Sequence, residues 1–544
     1  MLRPVTRKHR RFLRPRVVVP VVAVGVVAAA VPVTVQLSRV SLRVDGPRDG
    51  ALVGASELKT ASFHVVADGN SSDRVTMRLD GKPVTGEHEG KAVVVPLAGL
   101  ADGAHRLVVE LPGKFPGAGA TVRRSFTVDT TPPTLRVDVP KATSLKQAVT
   151  VTGTAAGASS VLADGKKVAV DAGTFSVHYA TPPVAAKIVA RDAAGNTTEQ
   201  TIDVPVRYPN KIRAIHETGL SWTFDRDRNE ALQLARQHKI NAVQLDIKDE
   251  DGIVNFDPGV ALASQVGAVR KYYDPAKVAA QLHALGVRLI GRIVAFRDPA
   301  LAGWAWNHGH KEWVIQTPTG QPWGNGGYGK ASFTNFSDQH VRDYNIAIAK
   351  AAAKAGFDDV IFDYIRRPDG NWNAMRVPKL PHTNAAAYQA INQFAEQSRA
   401  ALRPLGAFVG AALFAQAVNA PQDTAQNVPQ LARYLDVVTP MDYPSHWLHG
   451  EYGVPDPNAG PQATYDIVHR SLTDWAKAVK GTNCEVVPWL QAEDFRGNYT
   501  PAMIASQIKG ARDSGMPGFI LWNANAYYLK WEPALTADAP RVIG

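Results

Sequence analysis

Short alternating runs of apolar and polar residues, broken by Gly, Asp, Asn and Pro, extend from residue 41 to residue 206. A period of two predicts β-strands with one buried face. The pairs Asp80-Gly81 and Asp164-Gly165 each lie between two such runs and predict tight two-residue hairpins. Pro132-Pro133 cannot continue a strand ladder, so a module boundary is expected there. The pattern predicts two β-sandwiches of immunoglobulin-like type, at residues 40–131 and 132–208.

After Pro209 the pattern changes to apolar strands that alternate with helices of roughly 10 to 18 residues, which is typical of βα units. The predicted strands lie near 213–218, 242–248, 288–296, 359–365, 408–414, 437–443, 485–491 and 518–523. The predicted helices lie near 227–238, 275–285, 338–355, 384–402, 428–434, 463–479 and 501–514. Eight strands predict an α/β fold, a (β/α)8 TIM barrel over residues 210–544. A doubly wound open sheet is the alternative, but residues 219–222 contain no glycine-rich phosphate loop.

The N-terminus combines a basic segment with an uncharged apolar one. Seven Lys and Arg residues lie within residues 1–16, and residues 17–35 carry no charge. A stretch of about 20 apolar residues can span a bilayer, and the basic flank orients it with the N-terminus in the cytoplasm. The sequence therefore predicts a cytoplasmic segment at 1–16 and a transmembrane anchor or signal peptide at 17–36. The rest of the chain is expected outside the cytoplasm, either anchored or secreted.

Charge and cysteine content exclude several classes of protein. The net charge is +11, but the basic N-terminal segment supplies seven of these charges and the remainder is nearly balanced. A basic face with interleaved aromatic residues, as nucleic-acid binding requires, is absent from the sequence. The single cysteine, Cys484, excludes an internal disulfide and any metal site built from several cysteines. We expect a monomer without a metal or cofactor.

Polar residues cluster where the predicted barrel strands end. Active sites of such barrels form at the C-terminal ends of the strands. The residues placed there are His216, Glu217, Asp246, Lys248, Asp249, Arg292, Asp363, Arg366, Asp442, Tyr443, His446, Trp489, Gln491, Glu493, Trp522 and Asn523. Ion pairs within the rim, Asp246 with Lys248 or Asp363 with Arg366, are the structural alternative. As a ring, these residues predict a functional mouth.

Tryptophan is confined to the predicted barrel, because all eleven Trp residues lie from Trp222 onward. Trp304 and Trp323 fall in a polar loop after the third strand. Flat aromatic rings offer apolar contact to sugar rings, so both are candidate platforms for a glycan. Core packing is the alternative for either residue.

Several long motifs resemble a known family. They are NAVQLDIKDEDG at 241–252, GRIVAFRDP at 291–299, DYNIAIAKAAAKAGFDDVIFDYIRRP at 343–368, PMDYPSHW at 440–447, VPWLQ at 487–491 and GFILWNANAYY at 518–528. In this order they resemble the bacterial glycosyl-hydrolase-like (β/α)8-barrel family, a domain of unknown function. FTVDTTPP and RDAAGNTTE resemble bacterial immunoglobulin-like modules. The first resemblance implies a hydrolase fold directed at polysaccharide, and the second implies a spacer or adhesive role for the modules.

Glycoside hydrolysis ordinarily uses two carboxyl groups, one as an acid and one as a nucleophile or base. Asp363 is the first candidate, Glu493 is its expected partner, and Asp442 is the rival for that role. The candidate substrate-binding residues are Asp246, Lys248, Arg292, Arg366, Tyr443, His446, Trp489, Gln491, Trp522, Asn523, Trp304 and Trp323. A looser likeness to chitinase-type barrels places Asp363 at that pattern's last Asp, but Ile365 occupies the position of its catalytic Glu. A barrel that binds glycans without cleaving them is the alternative function.

Overall fold

The computed structural model describes residues 41–67, 72–113, 118–325 and 327–542. The predicted cytoplasmic segment and the predicted membrane segment, residues 1–16 and 17–36, lie outside these residues. Within the described residues, every helix is too short or too polar to cross a bilayer.

The first described region contains two sheets that are antiparallel except for one strand pair. One sheet consists, in order, of strands Leu42–Asp45, Ser62–Ala67, Ala92–Pro96 and Glu87–Glu89. The other consists of Ala51–Gly54, Ala120–Asp129, Gly103–Leu111, Thr76–Leu79 and Lys82–Pro83, and its first two strands pair in parallel. Alternate residues of both sheets, such as Phe63 and Phe126, form one buried apolar cluster. A short helix, Ala55–Leu58, follows the parallel edge strand.

The next region contains two further four-stranded sheets. Their strands, in sheet order, are Thr134–Asp138, Val149–Ala156, Thr174–Tyr179 and Val170–Asp171, and then Lys166–Val168, Ser160–Ala163, Ala186–Arg191 and Thr197–Ile202. Both predicted hairpins are confirmed. Asp80 and Gly81 have φ of 51° and 78°, and Asp164 and Gly165 have φ of 48° and 77°, the left-handed values that a two-residue turn of type I′ requires. The immunoglobulin-like assignment and the module boundaries stay predictions.

Eight strands close into a parallel barrel in the C-terminal part of the chain. They are β1 (Arg213–Glu217), β2 (Ala242–Lys248), β3 (Arg288–Val294), β4 (Asp359–Asp363), β5 (Phe408–Phe414), β6 (Val437–Asp442), β7 (two segments, Glu485–Val486 and Trp489–Gln491) and β8 (Phe519–Trp522). Each strand pairs with the next, and β8 pairs with β1 in parallel. The predicted barrel is confirmed, and the alternative of an open doubly wound sheet is wrong because the sheet has no free edge.

The seven predicted helices of this region are present, with small shifts at their ends. They are Asp225–Arg236, Pro275–Ala284, Gln339–Ala355, Asn384–Leu402, Val428–Leu431, Pro461–Ala478 and Pro501–Asp513. The helices Ala261–Val266, Pro299–Asn307 and Pro421–Thr424 were not predicted. Asp298 is the N-cap of the unpredicted helix Pro299–Asn307, and its carboxylate accepts a hydrogen bond from the Leu301 N–H at 2.8 Å. Pro299 suits the first turn of the helix.

Successive strand residues point alternately into the barrel and toward the helices, as pleated strands require. An inward set that includes Ala214, Ala242, Ile290 and Ile361 forms one apolar cluster. Intervening residues such as Ile215 join the cluster that packs against the helices. This alternation determines which of the polar residues at the strand ends point into the barrel and can contact one another.

Candidate active site

Arg292 on β3 is the centre of the polar cluster inside the barrel. Its Nη1 donates to Asp246 Oδ1 at 3.0 Å, and its Nε and Nη2 donate to Asp363 Oδ2 at 3.0 and 2.7 Å. Nη2 also donates to the carboxylate of Glu250, which lies just after β2. The side chain of Arg292 is only 1% exposed. Three carboxyl groups from two strand ends therefore converge on one buried guanidinium.

These environments drive the pKa values of two of the carboxyl groups apart. Burial raises the pKa of Asp246 well above its usual range, although Arg292 opposes the shift. Burial also raises the pKa of Glu250, but Arg292 outweighs it and brings the value to about 2. The pKa of Arg292 itself rises: burial lowers it, and the three carboxylates overcome that effect. Carboxyl groups with separated pKa values are the usual basis of acid and base roles in one site.

Aromatic rings form one wall of the cluster. His216 stacks on Trp522 with ring centroids 4.1 Å apart, and Trp522 stacks on Trp489 at 4.8 Å. The Arg292 guanidinium lies 5.1 Å from the Trp522 ring centroid and 5.6 Å from that of Trp489. Burial and the nearby Arg292 charge lower the pKa of His216 to about 3, so this ring is neutral at ordinary pH.

Four polar atoms around the cluster are buried without a hydrogen-bond partner among the described residues. They are Asp246 Oδ2, His216 Nε2, the Tyr443 hydroxyl and Trp489 Nε1. Buried polar atoms without a partner are rare and costly, so their concentration in one place requires an explanation. Asp246 Oδ2 and His216 Nε2 lie 3.7 Å from each other, whereas a polar ligand at this mouth would provide partners for the Tyr443 hydroxyl and Trp489 Nε1. Six predicted site residues, Asp246, Arg292, Asp363, Tyr443, Trp489 and Trp522, thus meet.

Asp442 does not join this group. Its oxygens accept from Trp447 Nε1 at 2.8 Å and from Ser471 Oγ at 2.5 Å, and Ser471 belongs to the helix Pro461–Ala478. Asp442 therefore faces the helices, while Tyr443 belongs to the inward cluster. Burial, opposed by the two donors, raises the pKa of Asp442 to about 7.

Lys248 is also directed away from the mouth. Its Nζ donates to Asp298 Oδ2 at 2.7 Å, to Asn345 Oδ1 at 2.7 Å and to the Ala295 carbonyl at 3.2 Å. An irregularity in the β2–β3 register between Asp246 and Lys248 accompanies this outward position. The alternative rim pair of Lys248 with Asp246 is not formed, and all three ammonium protons of Lys248 are already used.

Arg366 does not pair with Asp363 either. Its Nη1 donates to Asp369 Oδ1 at 3.0 Å, and its guanidinium stacks on Tyr364 and Phe414 at 4.4 and 4.6 Å. Arg292 has the charge-stabilising role that was expected of Arg366.

Glu493 and His446 lie at the rim. Glu493 is half-buried, and its Oε2 accepts from the Ala524 N–H at 3.0 Å. Burial is the largest cause of the raised pKa of Tyr443, and the nearby Asp363 and Glu493 raise it further. His446 packs edge-on against Tyr443 at 5.3 Å.

Gln491 and Asn523 hold loops together. The Gln491 side chain accepts from Ser445 N–H and donates to the carbonyls of Glu493 and Phe495. Asn523 Nδ2 donates to the carbonyls of Ala492 and Tyr527. The amide N–H groups of Gln491 and Asn523 are therefore used by backbone carbonyls and do not bind the carboxylates around Arg292.

The two loop tryptophans differ in exposure. Trp323 is 6% exposed and packs edge-on against Phe333 at 5.7 Å, so its ring belongs to the core. Trp304 is half-buried and stacks on His308 at 4.5 Å. Only Trp304 retains surface that a glycan could contact.

Sequence reasoning gave no role to Glu250 or Tyr364. Glu250 lies in the acidic run DIKDEDG, where the neighbouring Asp residues resemble a turn. Tyr364 follows Asp363 with a φ of 52°, and its N–H donates to Asp363 Oδ1 at 2.7 Å. A left-handed conformation at a bulky residue is strained and frequently marks a functional position. Backbone dihedral angles are not readable from the sequence.

Several solved structures are similar to parts of this chain. The chain has no match among curated proteins. Among solved structures it is similar to a hypothetical protein from Ruminiclostridium thermocellum, at 28% identity, over 36% of this chain and 96% of that one, with a TM-score of 0.31. It is also similar to the glycoside hydrolase domain of PgaB (BpsB) from Bordetella bronchiseptica, at 16% identity, 58% and 94% coverage, and TM-score 0.41. A third is an endo-1,4-beta-D-mannanase from Thermotoga petrophila, at 12% identity, 57% and 88% coverage, and TM-score 0.39.

The family comparison covers more than half of the chain. A family model described as "Putative glycosyl hydrolase domain" matches residues 214–528. The matched region begins within β1 and ends just after β8, so it includes every residue of the cluster around Arg292. This chain belongs to that family of glycosyl-hydrolase-like barrels.

Proposed function

We propose that the barrel hydrolyses glycosidic bonds of a polysaccharide at the cluster around Arg292. The observation that carries the proposal is the convergence of Asp246, Glu250 and Asp363 on one buried guanidinium. The stacked rings of Trp489 and Trp522 adjoin it. Carboxyl groups supply acid, base or nucleophile for this reaction, and aromatic rings suit the apolar faces of sugars.

Asp363 is the carboxylate assigned to the reaction centre. Arg292 stabilises its negative charge with two hydrogen bonds. Glu250 accepts from the same Nη2 atom, so its bonded oxygen lies within about 6 Å of Asp363 Oδ2, the length of two hydrogen bonds. A pKa of about 2 keeps Glu250 ionised, which suits a second negative charge opposite a developing oxocarbenium ion.

Glu493 is the proton donor in this proposal. The general acid is taken from the rim, where the leaving sugar departs into solvent, because Asp246 and Asp363 both lie deep in the cluster at 1% and 2% exposure. Glu250 carries no proton at neutral pH, and Asp442 faces the helices. Glu493 is half-exposed at the rim and lies near Tyr443. It donates a proton to the leaving oxygen as the C–O bond to the leaving sugar breaks. Water adds its hydroxyl to the anomeric carbon, and the remaining proton of that water passes to Asp363 in an inverting reaction, or returns to Glu493 if Asp363 first forms a glycosyl-enzyme bond.

The test is hydrolysis of a panel of bacterial exopolysaccharides by the whole chain, measured as released reducing ends. Asp363→Asn and Glu493→Gln should each lower kcat by at least about 100-fold, the contribution of one acid or base. Asp423→Asn, on the outer helix Pro421–Thr424, removes an exposed carboxyl group as a control. Full activity of Asp363→Asn would refute the assignment. The anomer first released distinguishes retention from inversion.

A glycan-binding barrel without hydrolysis is the second candidate. It is favoured by one observation: Asp246 and Asp363 are only 1% and 2% exposed and are already paired with Arg292. In that case the wild type and Asp363→Asn bind glycan and neither releases reducing ends.

The proposal includes an extracytoplasmic location, with the N-terminal segment as anchor or signal peptide and the antiparallel sheets as a spacer. The chain then meets cell-surface or extracellular polysaccharide as a monomer. Protease treatment of intact cells tests the location, because an exported barrel is digested there and a cytoplasmic one is protected.

A further inference from the structure

Arg297, in the loop after β3, has a positive charge that no acidic residue within the described part of the chain pairs with. Its side chain is half-buried. The only hydrogen bond of its guanidinium to described residues runs from Nη1 to the Tyr364 hydroxyl at 3.2 Å. The guanidinium lies over two rings, 5.2 Å from the Tyr328 centroid and 5.4 Å from the Tyr364 centroid.

Neighbouring arginines of the barrel differ from Arg297 in this respect. Arg288 pairs with Asp359, Arg292 with three carboxylates, and Arg366 with Asp369. A half-buried cation is costly to desolvate unless it is paired or used. Arg297 thus has free hydrogen-bond donors, whereas Arg288, Arg292 and Arg366 are each paired with carboxylates of the chain.

Tyr364 connects Arg297 to the proposed reaction centre. Its hydroxyl accepts from Arg297, and its backbone N–H donates to Asp363 Oδ1. Its φ is 52°, and its ring centroid lies 5.4 Å from the Arg297 guanidinium and 4.4 Å from that of Arg366. The strained residue therefore fixes the distance between the Arg297 charge and the carboxylate of Asp363.

We propose that Arg297, with Tyr328 and Tyr364, forms a subsite for the carboxylate of an acidic sugar. The planar fork of a guanidinium matches a carboxylate with two parallel hydrogen bonds. The edges and faces of the two Tyr rings suit the ring of the sugar that carries it. This inference rests on the proposed function, which it deepens by giving the substrate class as a uronate-containing polysaccharide.

The test uses polygalacturonate, alginate and hyaluronan, each beside a sample whose carboxyl groups have been reduced to alcohols. Binding to the whole chain carrying Asp363→Asn is measured by affinity electrophoresis, so that hydrolysis does not interfere. We expect at least one acidic polymer to be bound about tenfold more tightly than its reduced form. Arg297→Gln should remove that preference, and Arg297→Lys should keep part of it because the charge remains without the fork.

Arg433→Gln, which removes an exposed charge from the loop after helix Val428–Leu431, is the matched control and should keep the preference. Equal binding of every acidic polymer and its reduced form, or an unchanged preference in Arg297→Gln, overturns the inference. The inference is also overturned if dextran sulfate competes as well as the preferred uronate, because the subsite would then bind negative charge in general and not the carboxylate. Arg297-dependent binding without any hydrolysis by the wild type refutes the proposed hydrolase and leaves the subsite standing.

Discussion

Replacing Asp442 by Asn tests whether this carboxyl group is a structural element and not part of the active site. The Asn side chain can retain both contacts. Its oxygen accepts from Trp447 Nε1, and its amide donates to Ser471 Oγ, whose hydroxyl can still donate to the Val468 carbonyl at 3.2 Å. The substitution therefore removes the titration of Asp442 and leaves the packing in place.

The magnitude follows from the two pKa values of Asp442. Burial raises its pKa in the folded chain to about 7, whereas an Asp in an unfolded chain titrates near about 3.9. Between these values the folded state binds more protons than the unfolded state, so this group's contribution to the free energy of unfolding falls as pH rises. Three units correspond to about 4 kcal/mol, an upper bound for the change between about pH 4 and pH 8.

The assay is urea unfolding followed by Trp fluorescence at a series of pH values. All eleven Trp residues lie from Trp222 onward, so the signal reports the barrel. The variant should become more stable relative to the wild type as pH rises. The effects of the other titrating groups are the same in both proteins and cancel in the difference between their free energies of unfolding. Hydrolytic activity should stay within about twofold of the wild type, since Asp442 faces the helices.

A pH-independent difference between Asp442→Asn and the wild type would show that the buried carboxyl is ionised throughout the range. Loss of activity in a variant that remains folded would return Asp442 to the reaction centre. Asp423→Asn, which removes an exposed carboxyl group, should show no such pH-dependent difference.

Three further predictions follow from the buried charges. Arg292→Met should abolish hydrolysis and lower the free energy of unfolding by about 3–5 kcal/mol at neutral pH. The loss should be smaller in acid, because carboxylates left without a cation become protonated there. Urea titrations at two pH values check this. Lys248→Met should lower stability by a similar amount without changing KM, and adding Asp298→Asn should recover much of the loss because no buried charge then lacks a partner. The ring proton signals of His216 in NMR spectra should not move between about pH 5 and pH 8, because its pKa is about 3.

Much of the barrel was predictable because its strands are short and rich in apolar residues, with the polar residues of β2 (AVQLDIK) and β3 (RLIGRIV) at alternate positions. β2 and β5 have the predicted bounds, 242–248 and 408–414. Buried parallel strands have this composition, and Gly or Pro marks their ends. The helix Pro299–Asn307 escaped prediction because its Ala, Trp and Gly residues show no clear apolar stripe.

The candidate site was predictable only in part, because alternation along a strand reverses the direction of neighbouring side chains. Asp442 and Tyr443 are adjacent, and only Tyr443 points inward. An error of one residue in register therefore exchanges the two roles. At the end of β2, the irregularity between Asp246 and Lys248 has no sequence signature. Ion-pair partners such as Arg292 and Asp363 are 71 residues apart and depend on closure of the barrel.

The charges at the mouth explain how one site could act on an acidic polymer. Arg292 supplies one positive charge to three carboxyl groups, so acidic groups outnumber the cation at this centre. A negative centre stabilises the positive charge that develops on an anomeric carbon. It would repel a substrate carboxylate placed there, so an acidic sugar needs a cation outside this centre. Arg297, joined to Asp363 through Tyr364, lies beside the centre and has no acidic partner within the described residues. In these two proposals the sites have complementary tasks, and Tyr364 is the residue that links them.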